Sequence, residues 1–319
     1  MVKSSAVLGP KRKAVNAAKR KDAWAGLLFS LPWIVGFLLF SLYPIGVSVY
    51  YSLTEFNIFQ FPKWVGLGNY TTLFQDPKFY TSLINTFYMV IIGTPVTLIA
   101  SLLLAVILNQ NLSCRPIFRT VFYLPSIVPA VASSLLWIWI LNPQYGLFNS
   151  VLKVFGIYQP NWLVDPSFTK PALIIMAVWG TGQTMIVFLA ALQDVPRSLY
   201  EAAEMDGAGT IRKFFSITIP SITPVIFFQL IMSIIAYFQY FTQAYILINN
   251  SGSGSGLNGV SGGPENSLLF YSLYLWHNAF GYFKMGYASA MAWVLFIIIM
   301  IVTLILFKTQ KRWVTYGDE

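Results

Sequence analysis

The residues of this 319-residue chain whose types and spacing could do chemistry gather in two places. One is the segment Asp194 to Pro220, DVPRSLYEAAEMDGAGTIRKFFSITIP, where Glu201, Glu204 and Asp206 set three carboxylates close together. Ser198 with Glu201 three residues later is a capping box and Pro196 lies just upstream, so a short helix is expected to begin at Leu199. Asp206-Gly207 supplies its turn, and a second short amphipathic segment through Ile211, Phe214, Phe215 and Ile217 runs to Pro220. Ala202 and Ala203 let another surface approach such a helix closely while the carboxylates offer it charge, which suits docking into a partner's groove. The same residues are compatible with plainer roles: Glu201 serving its own helix N-terminus, Asp206-Gly207 acting only as a turn, or the helix lying on lipid.

The second place is a stripe, Gln229, Ser233, Tyr237 and Tyr240, spaced by four, four and three so that all share one helical face. Trp179, Gly180, Gln183 and Thr184 form a comparable group upstream. Hydroxyls, amides and aromatic rings are the groups that hold a sugar, by hydrogen bonds and by stacking on its C–H faces. Small and polar residues also pack helices together in a bilayer, which is the plainer account of the same positions. Cys114 is the one cysteine, which excludes an internal disulfide and a Cys-based metal cluster, and the one histidine, His277, reads as an ordinary loop residue.

Both places depend on elements that composition identifies. With 56% hydrophobic and 10% charged residues, against about 25% charged in soluble domains, the chain has too little polar surface for a water-soluble fold. Six stretches reach the roughly 20 apolar residues needed to cross a bilayer, at 24–53, 82–109, 118–141, 171–193, 222–248 and 286–307. Gly, Pro, Ser and Thr interrupt them, but hardly a charge, which is costly at the membrane centre. Pro125 and Pro129 should kink the third, and Trp24, Trp33, Trp137, Trp139 and Trp293 are expected near span ends as aromatic belts. Fifteen of the twenty Lys and Arg residues fall in the two tails and the loops before the third and fifth spans, which predicts both termini in the cytoplasm. The net charge of +9 is thereby a topology signal that needs no nucleic acid. The basic start followed by an apolar run about twice the length of a signal-peptide h-region, without a small-x-small cleavage site, reads as a retained first span.

The chain divides into a basic cytoplasmic tail (1–23), a first span with its external segment (24–81), a transmembrane domain (82–307) carrying the cytoplasmic loop 194–220, and a cytoplasmic tail (308–319). External connections at 54–81, 142–170 and 249–285 read as structured loops, apart from a Ser/Gly-rich stretch, Asn250 to Asn258, that is flexible by composition. No internal repeat, nucleotide-binding glycine loop or catalytic constellation is present in the sequence, so an energy source must sit on another chain.

The order Glu201-Ala202-Ala203, Asp206-Gly207-Ala208, Phe214, Ile217, Pro220 resembles the EAA motif of binding-protein-dependent ABC permeases at every motif position without a gap. Gly66-Leu67-Gly68-Asn69-Tyr70, Phe118-Arg119-Thr120 with Leu124-Pro125, Gly262-Gly263-Pro264 and Gly286-Tyr287-Ala288-Ser289-Ala290 extend the likeness to the sugar-permease branch of the maltose and glycerol-phosphate systems. The chain departs from the larger maltose-type subunit in having six spans instead of eight and no large external domain.

That resemblance implies an all-α membrane protein with the type I ABC importer transmembrane fold. It also implies a coupling helix that inserts into a cytoplasmic ATPase, with Glu201, Ala202, Ala203, Asp206, Gly207 and Ala208 as the transmitting residues. Counted from the motif, the family's sugar site lands on Trp179, Gly180, Gln183, Ser233, Tyr237 and Tyr240, with Met176 and Ala236 where that site has an amide and an aromatic ring. The implied partners are a second homologous permease, two ATPase subunits, an external solute-binding protein and membrane lipid. ATP and magnesium would be held by the ATPases, with no cofactor on this chain. The expectation is a non-enzymatic, multi-pass permease of the bacterial cytoplasmic membrane for an oligosaccharide or related sugar. A permease for another solute, an ion-driven secondary transporter, which should place charged ion sites inside its spans, and a polytopic membrane enzyme are the competing readings.

Overall fold

In a bilayer the backbone must satisfy its own hydrogen bonds, and the chain does so as helices. The computed structural model describes residues 11–110, 113–250 and 262–315, with side chains from Trp24 onward. Four helices are long and apolar enough to cross a membrane: α1 (Trp24–Ser52), α2 (Pro77–Asn109), α8 (Thr210–Asn250) and α9 (Met285–Gln310). Two bent pairs meet the same criterion together, α3 (Arg115–Ile127) with α4 (Ala130–Ile140), turned by 100°, and α5 (Pro166–Trp179) with α6 (Gly182–Asp194), turned by 50°. Between α6 and α8 lies the short helix α7 (Arg197–Met205). The expected stretch Asn250 to Asn258 lies, beyond its first residue, outside the described residues, as do the first ten residues of the basic tail.

Three of the prolines inside these long helices follow a change of pitch, whereas Pro32 and Pro224 sit in α-helical stretches. Five-residue π-helical turns occupy Leu38–Leu42, Met89–Gly93 and Phe214–Thr218, and each is followed two residues later by a proline: Pro44, Pro95 and Pro220. A proline ring collides with the carbonyl four residues back and offers no N–H, and a wider turn moves that carbonyl aside. The segment from Ile211 to Ile217, expected to be a separate short element, is for this reason the first two turns of α8.

At the end of the bundle away from α7, polar side chains fasten the helices. Asp76 caps α2 by accepting from the Lys78 amide at 2.9 Å, and its other oxygen accepts from the hydroxyls of Tyr274 and, at 2.9 Å, Tyr287. Burial, then the bond to Asp76, pushes the Tyr274 hydroxyl up from its ordinary pKa and keeps it a donor. Buried Asn85 donates to the carbonyls of Asn266 and Leu269 at 2.8 and 3.1 Å and accepts from Lys170 at 2.9 Å, which ties α2, α5 and the 264–270 segment together. His277 belongs to a π-helical turn, His277–Gly281, rather than a loop.

Helix α1 is peripheral, with no residue of its most apolar window buried within the chain, and it rests on α9. Trp293 joins the two by donating to Ser48 at 3.1 Å, and Trp137 is buried, so these two tryptophans fasten the interior instead of forming a belt. Gly286, at the start of α9, donates to the Phe56 carbonyl at 3.1 Å, and a Cβ there would lie 2.0 Å from the Thr54 carbonyl oxygen. Gly286→Ala should cost about 1–3 kcal/mol and lower the thermal midpoint in detergent. Gly46→Ala, where a Cβ would meet nothing within 4 Å, should leave the midpoint unchanged.

Candidate functional site

Three helices open at one level of the bundle. Val128, which precedes Pro129, is driven to the extended region (φ −65°, ψ 127°) and ends α3. Gly180 and Thr181 (ψ 8° and 2°) separate α5 from α6, and Gln239 (φ −99°, ψ 19°) begins a local opening in α8 that closes again at Thr242. The openings surround two adjoining hollows. One, of about 230 Å³, is lined by residues that include Ser126, Val128, Ser133, Trp179, Tyr240 and Gln243. The other, of about 330 Å³, includes Thr97, Thr181, Thr184, Ser233 and Tyr237, and the two share Ala177, Gly180, Tyr240 and Gln243. The residues at these breaks thus line space that water or a polar solute can fill, while turns such as Gly180 N–H to the Ala177 carbonyl at 3.1 Å keep their amides paired.

Rings form the walls. Tyr237 and Tyr240 lie with centroids 6.0 Å apart, and Phe270 meets Tyr240 edge-on at 5.3 Å. Trp179 is set edge-on against buried Trp137 at 6.0 Å, which fixes its indole on the hollow's wall. The Tyr237 hydroxyl donates to Thr97 Oγ1 at 3.5 Å, and its ring lies over Gly93, where a Cβ would come within 3.2 Å. The close approach of α3 to α6 has the same origin: a Cβ on Gly182 would lie 2.4 Å from the Phe122 carbonyl oxygen. At the far end of α6, Gln193 accepts from Arg115 Nη2 at 3.0 Å and Arg119 Nη2 at 2.6 Å, which holds the start of α3 beside it.

Of the residues expected from sequence, Trp179, Gly180, Ser233, Tyr237 and Tyr240 come together here, with Thr184, Met176 and Ala236 also on the walls. Gln183 is exposed one turn into α6 and Gln229 is buried two turns below Tyr237, and neither lines the hollows. Thr97, Gly93 and Gln243 were not anticipated. Gly93, Thr97 and Ser101 recur every four residues along α2, a stripe of small residues that marks a face for close approach without saying to what.

The acidic loop stands at the bundle's other functional end. Helix α7 begins at Arg197, two residues earlier than the capping box predicts, with Pro196 in the capping position and no side-chain cap. The Pro196 carbonyl accepts from the Leu199 amide at 3.2 Å, so Ser198 lies inside the first turn instead of preceding it. The other terminus forms as expected: Gly207 is left-handed (φ 72°), its amide bonds to the Glu204 carbonyl at 3.0 Å, and the Ala208 amide bonds to the Ala203 carbonyl at 2.9 Å. This is a Schellman cap, in which glycine relieves the backbone at the position that needs it. Glu201, Ala202, Asp206 and Gly207 are exposed, Ala203 and Ala208 half-buried, and Leu199, Met205, Ile211 and Phe215 carry exposed apolar surface around them.

Apolar helices broken around a polar, ring-walled hollow, with a capped helix projecting acids and apolar side chains from one end, define a polytopic membrane permease. The chain belongs to the family of binding-protein-dependent transport system inner membrane components, which matches residues 65–316. It is 44% identical over 303 residues to the probable ABC transporter permease protein YesP of Bacillus subtilis (strain 168), covering 94% of both chains. It is 34% identical to the arabinooligosaccharides transport system permease protein AraP of the same organism, over 92% of this chain and 94% of the relative. The fold matches a chain in the crystal structure of a bacterial ABC transporter involved in import of the acidic polysaccharide alginate, with a TM-score of 0.76, 23% identity and coverage of 94% and 99%.

Gly93→Leu should displace the Tyr237 ring and lower uptake by about tenfold, with the amount of inserted protein unchanged, as measured in membrane vesicles of the assembled transporter.

Proposed function

We propose that this chain is one of two different permease subunits of a type I ABC importer, which carries an oligosaccharide or related sugar inward across the bacterial cytoplasmic membrane. Each bent pair then counts as one span, giving six, with both termini and α7 on the cytoplasmic side where the basic residues concentrate. Two ATPase subunits, holding the ATP and magnesium, engage α7, and an external solute-binding protein delivers the sugar to the opposite face. The observation that carries this reading is α7 itself: a helix capped at its C-terminus whose acidic and apolar residues stay exposed at one end of the bundle.

Glu201 and Asp206 make the charged contact with the ATPase, and the exposed apolar residues around them fill its cleft. Closure of the ATPase dimer on ATP moves α7 and opens the hollow outward. Hydrolysis resets it inward. Trp179, Tyr237 and Tyr240 offer rings to the sugar's C–H faces, while Ser233, Thr97, Gln243 and the open backbone at Gly180 offer hydrogen bonds. The sugar class draws support from relatives named for arabinooligosaccharides, lactose, and trehalose or maltose. An ion-driven mechanism is disfavoured because the described spans keep their Asp, Glu, Lys and Arg towards the ends.

Glu201→Lys and Asp206→Lys should each abolish uptake while the protein stays inserted and ATP hydrolysis runs uncoupled from binding-protein delivery. Wild-type uptake in either variant would remove α7 from the coupling role. Mass spectrometry of the small molecule retained by the cognate binding protein should identify a saccharide, and an amino acid or peptide there would refute the sugar assignment.

A further inference from the structure

Two side chains of α7, exposed Glu204 and half-buried Tyr200, reach across to α8. Glu204 accepts an ion-paired hydrogen bond from Lys213 at 2.6 Å, and the Tyr200 hydroxyl is bonded to Thr218 Oγ1 at 2.9 Å. Lys213–Glu204 is the one ion pair among the described residues. On α7 the gripping residues are four apart, the spacing of neighbours on one face of an α-helix. Their partners on α8 are five apart, which an α-helix would rotate out of line. The π-helical turn Phe214–Thr218 brings residues five apart onto one face, so the bulge that accommodates Pro220 also sets the register of the grip.

The surroundings of this braced pair are looser. A hollow of about 310 Å³, lined by Val106, Asn109, Leu192 and Tyr200 among others, lies beside it at the ends of α2 and α6, where Tyr200 makes apolar contact with the cluster around Leu108 and Leu192. Another, of about 450 Å³, opens between Val195, Leu199, Ile217 and Pro220 on its other side. Among the described residues, no side chain of α7 is hydrogen-bonded to α6. Beyond the grip, α8 is helical as far as Phe238 and carries Ser233 and Tyr237 to the central hollow.

The geometry points to Tyr200 and Glu204 as positioning residues that make α7 and the inner half of α8 a single lever, so that a displacement of α7 reaches the sugar-facing side chains through α8 rather than through α6. This rests on the permease reading above. An exposed ion pair contributes little stability, about 0–1 kcal/mol, so the grip's effect is expected in transmission and not in folding.

The test needs no identified sugar. In the assembled complex with its ATPase subunits and Cys114→Ser, Ser233→Cys reports on the hollow through its rate of labelling by a water-soluble maleimide, before and after vanadate traps the nucleotide. With the native grip, trapping should change the rate by about fivefold or more. Tyr200→Phe combined with Glu204→Gln should bind the ATPase and trap nucleotide normally, yet bring that change below about twofold. The exchanged pair, Glu204→Lys with Lys213→Glu and Tyr200 kept, should restore it. A full change in the Tyr200→Phe, Glu204→Gln protein overturns the lever. So does loss of ATPase binding in that protein, because the grip would then shape the docking surface instead. An assembled charge-exchanged protein that fails to respond overturns it as well. No response with the native grip would instead count against the permease reading itself.

Discussion

A peptide group in hydrocarbon has no bulk water to bond, so it must find its partner within the protein, and the architecture follows from where this chain meets that constraint by regular helix and where it does not. It obeys along α1, α2, α8 and α9, and where prolines would break the ladder, at Pro44, Pro95 and Pro220, a π-helical turn repairs it locally. Regular helix gives way at Val128–Pro129, Gly180–Thr181 and Gln239–Phe241. Those openings meet around shared hollows, and short turns such as Gly180 N–H to the Ala177 carbonyl and Tyr240 N–H to the Tyr237 carbonyl keep their amides paired. The site and the broken backbone are therefore one feature: the residues at the breaks supply part of the hollow's lining.

The two ends of the bundle are fastened differently. Around Asp76 and Asn85, side chains from distant parts of the sequence converge on a few carboxylate, amide and carbonyl groups, with most donors and acceptors used. At α7 the fastening is confined to one neighbour, and hollows lie on both sides. A hollow of about 850 Å³ also lies against Asp76, Tyr274 and Tyr287, so the contrast between the two ends is in how many distant segments are bonded together and not in how closely they are packed.

Much of the site was legible because its residues keep helical spacing. Ser233, Tyr237 and Tyr240 share a face by periodicity alone, and the hollow confirms that they share a wall. The same reasoning placed Gln229 on that face and Gln183 beside Trp179, but a helical face extends beyond the cavity it borders, and depth along the helix is not written in the period. The capping box failed for a similar reason. Ser198 and Glu201 have the right spacing, yet the helix starts at Arg197 and Ser198 falls inside its first turn. Gly93 and Thr97 were missed because a small residue in an apolar span announces close approach but not its partner, and that partner, Tyr237, lies 140 residues from Thr97.

Sequence by itself determined the solvent, the positions and approximate ends of the apolar helices, the glycine that caps α7, and the character of the loop it belongs to. These depend on composition, hydropathy and residue spacing within a few turns, which are local quantities. Only the tertiary structure decided that three helices break at one level, that Trp137 supports Trp179, and that α7 is gripped by α8. The first two are meetings of segments far apart in the chain, fixed by packing between helices, while the third depends on how the chain turns back between α7 and α8, and residue spacing alone encodes neither.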